Sequence, residues 1–216
     1  MKLLNSFGPN PRMVRMFLLE KGIELDFVEH DLMGGENRRP PYSDKNPGAQ
    51  MPALELDDGS VLAETTVICE YLEELNSTPA LIGTSEQERA EARMWHRRTE
   101  QKITENIYNG FRFSQGLDIF KDRMRCLPEA ADGLKATAQD GLGWLDESMK
   151  GKQYLCGDRV TTGDLALYCC LDFAAGVGQT VSAELSNVTA WFRRMEERPA
   201  AAASLHPAAA QVGMKG

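Results

Sequence analysis

The feature that most constrains this chain is a change of period near residue 76. Before it, short apolar runs bounded by turn signals alternate with amphipathic stretches. After it, the apolar pattern follows helical spacing and the strand signal does not return. Residues 2–5 read as a strand. Pro9-Asn10-Pro11 then opens a helix to about Lys21, with Asn10 as N-cap, Pro11 as first helical residue, and Val14, Phe17 and Leu18 as its apolar stripe. Gly22 ends it, and a second strand follows near residues 25–29. Residues 33–49, rich in Gly, Pro and Asn, predict a loop with at most a short helix. Residues 53–56 and 61–62 flank Asp57-Asp58-Gly59-Ser60, a hairpin signal. A helix from Thr65 to Leu75 carries Val67, Ile68, Tyr71, Leu72 and Leu75 on one face. The order β-α-β-α-β-β-α, with a parallel start and a closing hairpin, is that of an α/β sandwich.

Residues 77–84, with Pro79 and Gly83, read as a linker. Helices are then predicted from Ser85 to about Phe113, over 128–149, over 162–175 and over 185–197. The last places Val188, Trp191, Phe192 and Met195 on one face. Pro199 ends it and leaves an irregular Ala-rich tail. The predicted organisation is an α/β domain over 1–76, a linker over 77–84 and an all-helical domain over 85–216.

Composition narrows the function classes. The 216 residues are 42% hydrophobic and 26% charged, the balance of a globular protein with a sizeable core. No apolar run reaches the roughly 18 residues of a membrane span, and Met1-Lys2 leads straight into a strand pattern without a signal-peptide core. The expected location is the cytoplasm. A net charge of −8 without a basic face speaks against a nucleic-acid partner. Five cysteines without a CxxC pair, and only 3 histidines, argue against a disulfide framework or a structural metal. Cys169 and Cys170 sit in an apolar stretch and read as buried, inert thiols.

Asn46-Pro47-Gly48-Ala49-Gln50-Met51-Pro52-Ala53-Leu54, followed by Glu64-Thr65 opening a helix, resembles the N-P-x-x-x-x-P-x-L and E-S/T elements of the cytosolic glutathione transferase superfamily. Gly157 to Asp164 resembles that family's capping box in its helical domain. The resemblance spans nearly the whole chain. It implies a thioredoxin-like N-terminal domain, a C-terminal helical bundle, glutathione as substrate and a homodimer. It also implies a cis peptide before Pro52, with the Met51 backbone pairing strand-like with the cysteinyl unit of glutathione. The helix start at Glu64-Thr65 would take the γ-glutamyl carboxylate, because its free N–H groups and dipole favour an anion. Glu64 would meet the ligand's ammonium and Gln50 the γ-glutamyl group. Either Thr65 or Thr66 also reads as an ordinary cap. Thr161 and Asp164 read as a structural capping box.

The group that activates the thiol is less defined. A free thiol titrates near about 8.5, and lowering it by about two units takes roughly 3 kcal/mol. The family places its donor in the first strand-to-helix turn, here Leu4-Asn5-Ser6-Phe7-Gly8-Pro9-Asn10. No cysteine is present, Leu4 lies near the tyrosine position, and Gly8 falls on the serine position of theta-like classes. Ser6 is the only hydroxyl in the turn and also reads as a turn serine. Asn10 aligns with the asparagine of the bacterial Nu class and also reads as a plain cap. Both are candidate catalytic donors, with backbone N–H groups of residues 7–10 sharing the work. Arg12 is either a surface cation or a neighbour of the ligand. Arg38, Arg39 and Lys45 are available for the glycyl carboxylate. Tyr108, Phe111, Arg112 and Phe113 line a pocket for a small hydrophobic or electrophilic second substrate, or else form a core stripe. The expected activity is glutathione transfer. A glutathione-dependent disulfide reductase and a non-catalytic binding member of the same fold are the alternatives.

Overall fold

The computed structural model describes residues 1–216. Strand β1 (Lys2–Asn5) shows why a period of two matters here. Leu3 joins the main core, whereas Leu4 points to the other face and packs with Tyr42, Met51 and Ala53. Helix α1 (Pro9–Lys21) crosses over to β2 (Asp26–Glu29), which lies parallel to β1. After a 3-10 turn (Glu36–Arg38) and the short α2 (Tyr42–Lys45), β3 (Ala53–Glu55) pairs antiparallel with β1, and β4 (Val61–Ala63) antiparallel with β3. The sheet order is β2-β1-β3-β4, and α3 (Thr65–Leu75) closes the layer.

The start of α1 differs from the sequence expectation. Gly8, not Asn10, is the N-cap, Pro9 is the first helical residue, and Asn10 is the second. Gly8 has φ 138°, a conformation open to glycine and strained for other residues. Backbone geometry therefore accounts for the glycine at position 8.

Every regular element after α3 is a helix. The stretch predicted as one helix to Phe113 comprises α4 (Glu86–Thr99), a π-helical segment (Glu100–Thr104) and α5 (Glu105–Arg112). Next come α6 (Leu117–Phe120), which the sequence pattern did not reveal, and α7 (Ala131–Ser148). Gly141 of α7 lies against the π-helical segment, where a Cβ would stand 2.4 Å from the Lys102 carbonyl oxygen. Helix α8 (Thr162–Gly176) runs through the centre of the core, and α9 (Ser186–Glu196) packs beside it. Pro199 does not open an irregular tail. It occupies the first turn of α10 (Pro199–Ala203), and α11 (Ala209–Val212) follows.

The Asp164 carboxylate organises the α8 start. One oxygen accepts from the Thr161 N–H and hydroxyl, each at 2.9 Å, and the other from the Leu155 N–H at 3.0 Å and the Trp191 indole at 2.9 Å. Cys169 and Cys170 are fully buried, and burial pushes the Cys169 thiol up to about 12. No helix is long and apolar enough to cross a membrane.

The sheet layer and the helical part share one core, and α1 joins them. Arg12 is not a surface cation. It is 1% exposed, and its guanidinium meets Asp172 of α8 at 2.7 Å and the Ala201 carbonyl of α10 at 3.0 Å. Arg15 donates to the Ser204 carbonyl, the Asn5 side chain and the Ser6 carbonyl.

Candidate active site

A cleft opens between the loops at one end of the sheet and α5–α6. The loop before β3 forms its floor and is tied down from below. The Asn46 amide donates to the Gln50 carbonyl at 2.9 Å, the Tyr42 hydroxyl donates to the same oxygen at 2.5 Å, and the Asn37 amide holds the Ala49 carbonyl at 2.6 Å. That anchoring is the local role of Asn46. It leaves the Gln50 side chain exposed to the cleft and presents Met51, which precedes the cis Met51–Pro52 peptide. Neither the Met51 N–H nor its C=O is bonded within the chain.

Helix α3 starts at the same cleft. Glu64 is its N-cap and holds φ 69°, ψ 125°, sparsely populated for a non-glycine residue. No side chain caps this helix, so neither Thr65 nor Thr66 takes the capping role. The N–H groups of the first turn are unbonded within the chain and open to an anion. The 11-residue α3 adds its dipole to that preference.

Helix α1 starts there too. Asn10 lines the cleft on both the Met51 side and the Glu64–Thr65 side. Pro9 and Pro11 have no N–H, so Asn10 carries the one free backbone donor among the first three helical residues, next to its side-chain amide. Ser6 is placed differently. It is 1% exposed, its hydroxyl donates to the His30 carbonyl at 2.9 Å, and it does not line the cleft.

The far wall is apolar and cationic. Tyr108, Phe111, Ile119, Phe120, Phe173 and Met214 supply its apolar surface. Phe111 meets Phe173 edge-on with centroids 5.1 Å apart. Burial pushes the Tyr108 hydroxyl well above its ordinary range, so it stays protonated. Arg38, Arg112 and Arg123 reach the same wall. Burial lowers the proton affinity of Arg38, and the charges of Arg123 and Arg112 add to that effect.

Of the residues singled out by sequence, Asn10, Gln50, Met51, Pro52, Glu64, Thr65, Tyr108, Phe111 and Arg112 meet in this cleft, and Arg38 joins them. Phe113 does not line it. Arg39 is exposed and bonds the Gly34 carbonyl, and Lys45 pairs with Glu55, so neither faces it. Sequence reasoning missed Glu105, Phe120, Arg123, Phe173 and Met214 as lining residues. Phe173 carried a signal, its place on a strongly apolar helix, but that pattern reads as core.

The comparisons agree with this architecture. The family model described as the glutathione S-transferase N-terminal domain matches residues 7–75, and that of the C-terminal domain matches residues 129–199. "Glutathione S-transferase 2" of Saccharomyces cerevisiae is 31% identical, over 89% of this chain and 83% of its own length. The crystal structure of a glutathione S-transferase domain-containing protein from Marinobacter aquaeolei is 35% identical with a TM-score of 0.87, covering 93% of this chain and 100% of that one. That of Gtt2 from Saccharomyces cerevisiae is 30% identical with a TM-score of 0.88, covering 95% and 100%. The chain belongs to the cytosolic glutathione S-transferase superfamily.

Proposed function

We propose that this protein binds glutathione in the cleft and promotes attack of its thiolate on a small electrophile. The observation that carries the reading is the uncapped start of α3 facing the same cleft as the unpaired Met51 backbone. The γ-glutamyl carboxylate meets the α3 N–H groups and Thr65, the ammonium meets Glu64, and Gln50 adds a contact. The cysteinyl backbone pairs with Met51 ahead of Pro52. Arg38 receives the glycyl carboxylate. This order brings the sulfur toward the start of α1, where the Asn10 side chain and N–H stabilise the thiolate. The thiol proton leaves to solvent, a sulfur–carbon bond forms, and the leaving group departs with its electron pair. The arrangement also contributes proximity.

Asn10 is the favoured donor because it lines the cleft, whereas the Ser6 hydroxyl is committed elsewhere. This is the reading under which the chain is Nu-like. Retention on immobilised glutathione is expected, and its absence would sink the proposal. Asn10→Ala should lower kcat/KM by at least tenfold, about 1.4 kcal/mol of barrier. It should also raise the apparent pKa of the bound thiol in the pH–rate profile. Ser6→Ala should leave that pKa unmoved. Assaying thiol transfer and disulfide reduction on the same variants tells transferase from reductase.

We further propose a cytoplasmic homodimer with a role in detoxification. The exposed apolar side chains Val67 and Leu75 of α3, 47% and 53% accessible, and Met94 of α4 support the dimer. Light scattering should give twice the 24.0 kDa chain mass, and Val67→Asp should shift it toward the monomer.

A further inference from the structure

We infer that the second-substrate half of the cleft selects an electrophile carrying a carboxylate on an apolar body, and that Arg112 and Arg123 are the selecting residues. This rests on glutathione occupying the other half as proposed above. Glutathione brings two carboxylates and one ammonium. The α3 start, Arg38 and Glu64 match those three charges, and the Arg38 Nε is buried with no partner in the chain. Two guanidinium groups are then left over on the same wall.

Neither Arg112 nor Arg123 forms an ion pair. Arg112 donates to the neutral Asn109 side chain at 3.1 Å and lies 5.8 Å from the Tyr108 ring centre and 5.7 Å from that of Phe120. Arg123 donates to the carbonyls of Leu32 and Met33 at 2.9 and 2.7 Å, and lies 5.9 Å from the Phe120 ring. Those bonds leave further N–H groups on each guanidinium. The acids nearby make no ion pair with either guanidinium. Glu105 lines the Glu64–Thr65 end of the cleft, which Arg112 also reaches, while Asp118 pairs with Lys121 and lines the outer surface with Asp122 and the outer side of Arg123. Arg112 and Arg123 therefore share an aromatic pocket whose own lining holds no carboxylate, and neither is paired with one of the acids at its edges. A neutral arene would bury against the Phe111, Phe120 and Phe173 rings and leave both cations unpaired. A carboxylate on the same ring body gains charge-assisted hydrogen bonds and removes the repulsion among the arginines.

The test uses two unreactive probes of matched shape, meta-dinitrobenzene and its carboxylate, dinitrobenzoate. Each is titrated calorimetrically into the full-length protein, with and without saturating S-methylglutathione. The anion should bind at least tenfold more tightly than the neutral probe, about 1.4 kcal/mol. That preference should shrink as salt rises. Arg112→Gln should remove most of it, Arg112→Lys should keep it in part, and Arg112→Gln with Arg123→Gln should abolish it. Turnover of chlorodinitrobenzoate against chlorodinitrobenzene, each corrected for its uncatalysed rate with glutathione, should show the same preference. Equal or tighter binding of the neutral probe overturns the inference, as does a preference that survives the double substitution. Failure of S-methylglutathione to bind would instead sink the glutathione reading, and the probe preference would still be measured without it.

Discussion

Asn10 owes its position to its neighbours. Gly8 takes the backbone conformation that starts the helix, and Pro9 and Pro11 fix the first turn while withholding their own donors. The dipeptide signals Pro-Asn-Pro were legible, but the cap was not, because Asn is a better N-cap by propensity than Gly. Only the φ of Gly8 tells which residue flanks the helix. Ser6 was equally ambiguous, since nothing local in the sequence announces a bond to His30. A second single residue carries a pH response. His96 is 8% exposed and its Nδ1 has no partner, so burial pushes its pKa down, with Glu100 and Glu70 opposing. The folded imidazole is thus neutral where the unfolded one, at about 6.5, begins to protonate. The stability it contributes is present above that value and is lost as pH falls toward the depressed folded pKa. Urea midpoints should drop on acidification from about pH 7.5 to about pH 5.5. His96→Gln should show a smaller drop, and an unchanged one would refute the assignment.

At the scale of elements, the site is made of two helix starts and one anchored loop. The pattern made α1, α3 and the hairpin legible because their periods are clean. The short elements α6, α10 and α11 were missed because each spans only 4 or 5 residues, too few for a period to register. The π-helical segment between α4 and α5 was also hidden. It interrupts a helix that looks continuous in sequence, and its fit depends on Gly141 from a helix about 40 residues later. Gly141→Ala gains helix propensity but drives a methyl group into backbone. It should lower the unfolding free energy by about 1–3 kcal/mol, the usual cost of overpacking. A loss below about 0.5 kcal/mol would mean that the segment yields easily.

At the scale of the molecule, the lining of the cleft is assembled across the chain's full length. Residues 7–11 meet 32–38, 50–52, 105–123, Phe173 and Met214. No window of sequence contains that set, so Arg123 and Met214 could not be read in advance, whereas Arg38, Arg112 and the contiguous motifs at 46–54 and 64–65 could. The tie between layers is equally non-local. Asp172 receives Arg12 at 2.7 Å and Lys215 at 2.8 Å. The 3% exposure of Asp172 and 1% of Arg12 leave little solvent to screen the pair. Asp172→Ala would strand a buried guanidinium and should cost about 3–5 kcal/mol, measured by urea denaturation. A loss under about 1 kcal/mol would show the arginine finding another route to solvent.

The alternation of prolines at the start of α1 has a spectroscopic consequence. Prolines give no backbone amide cross-peak in a nitrogen–proton correlation spectrum, so residues 9–11 contribute one backbone peak, from Asn10, beside the pair from its side-chain amide. Ionisation of a bound thiol beside Asn10 would be recorded as the movement of its backbone resonance together with its side-chain pair, with no signal from the prolines on either side.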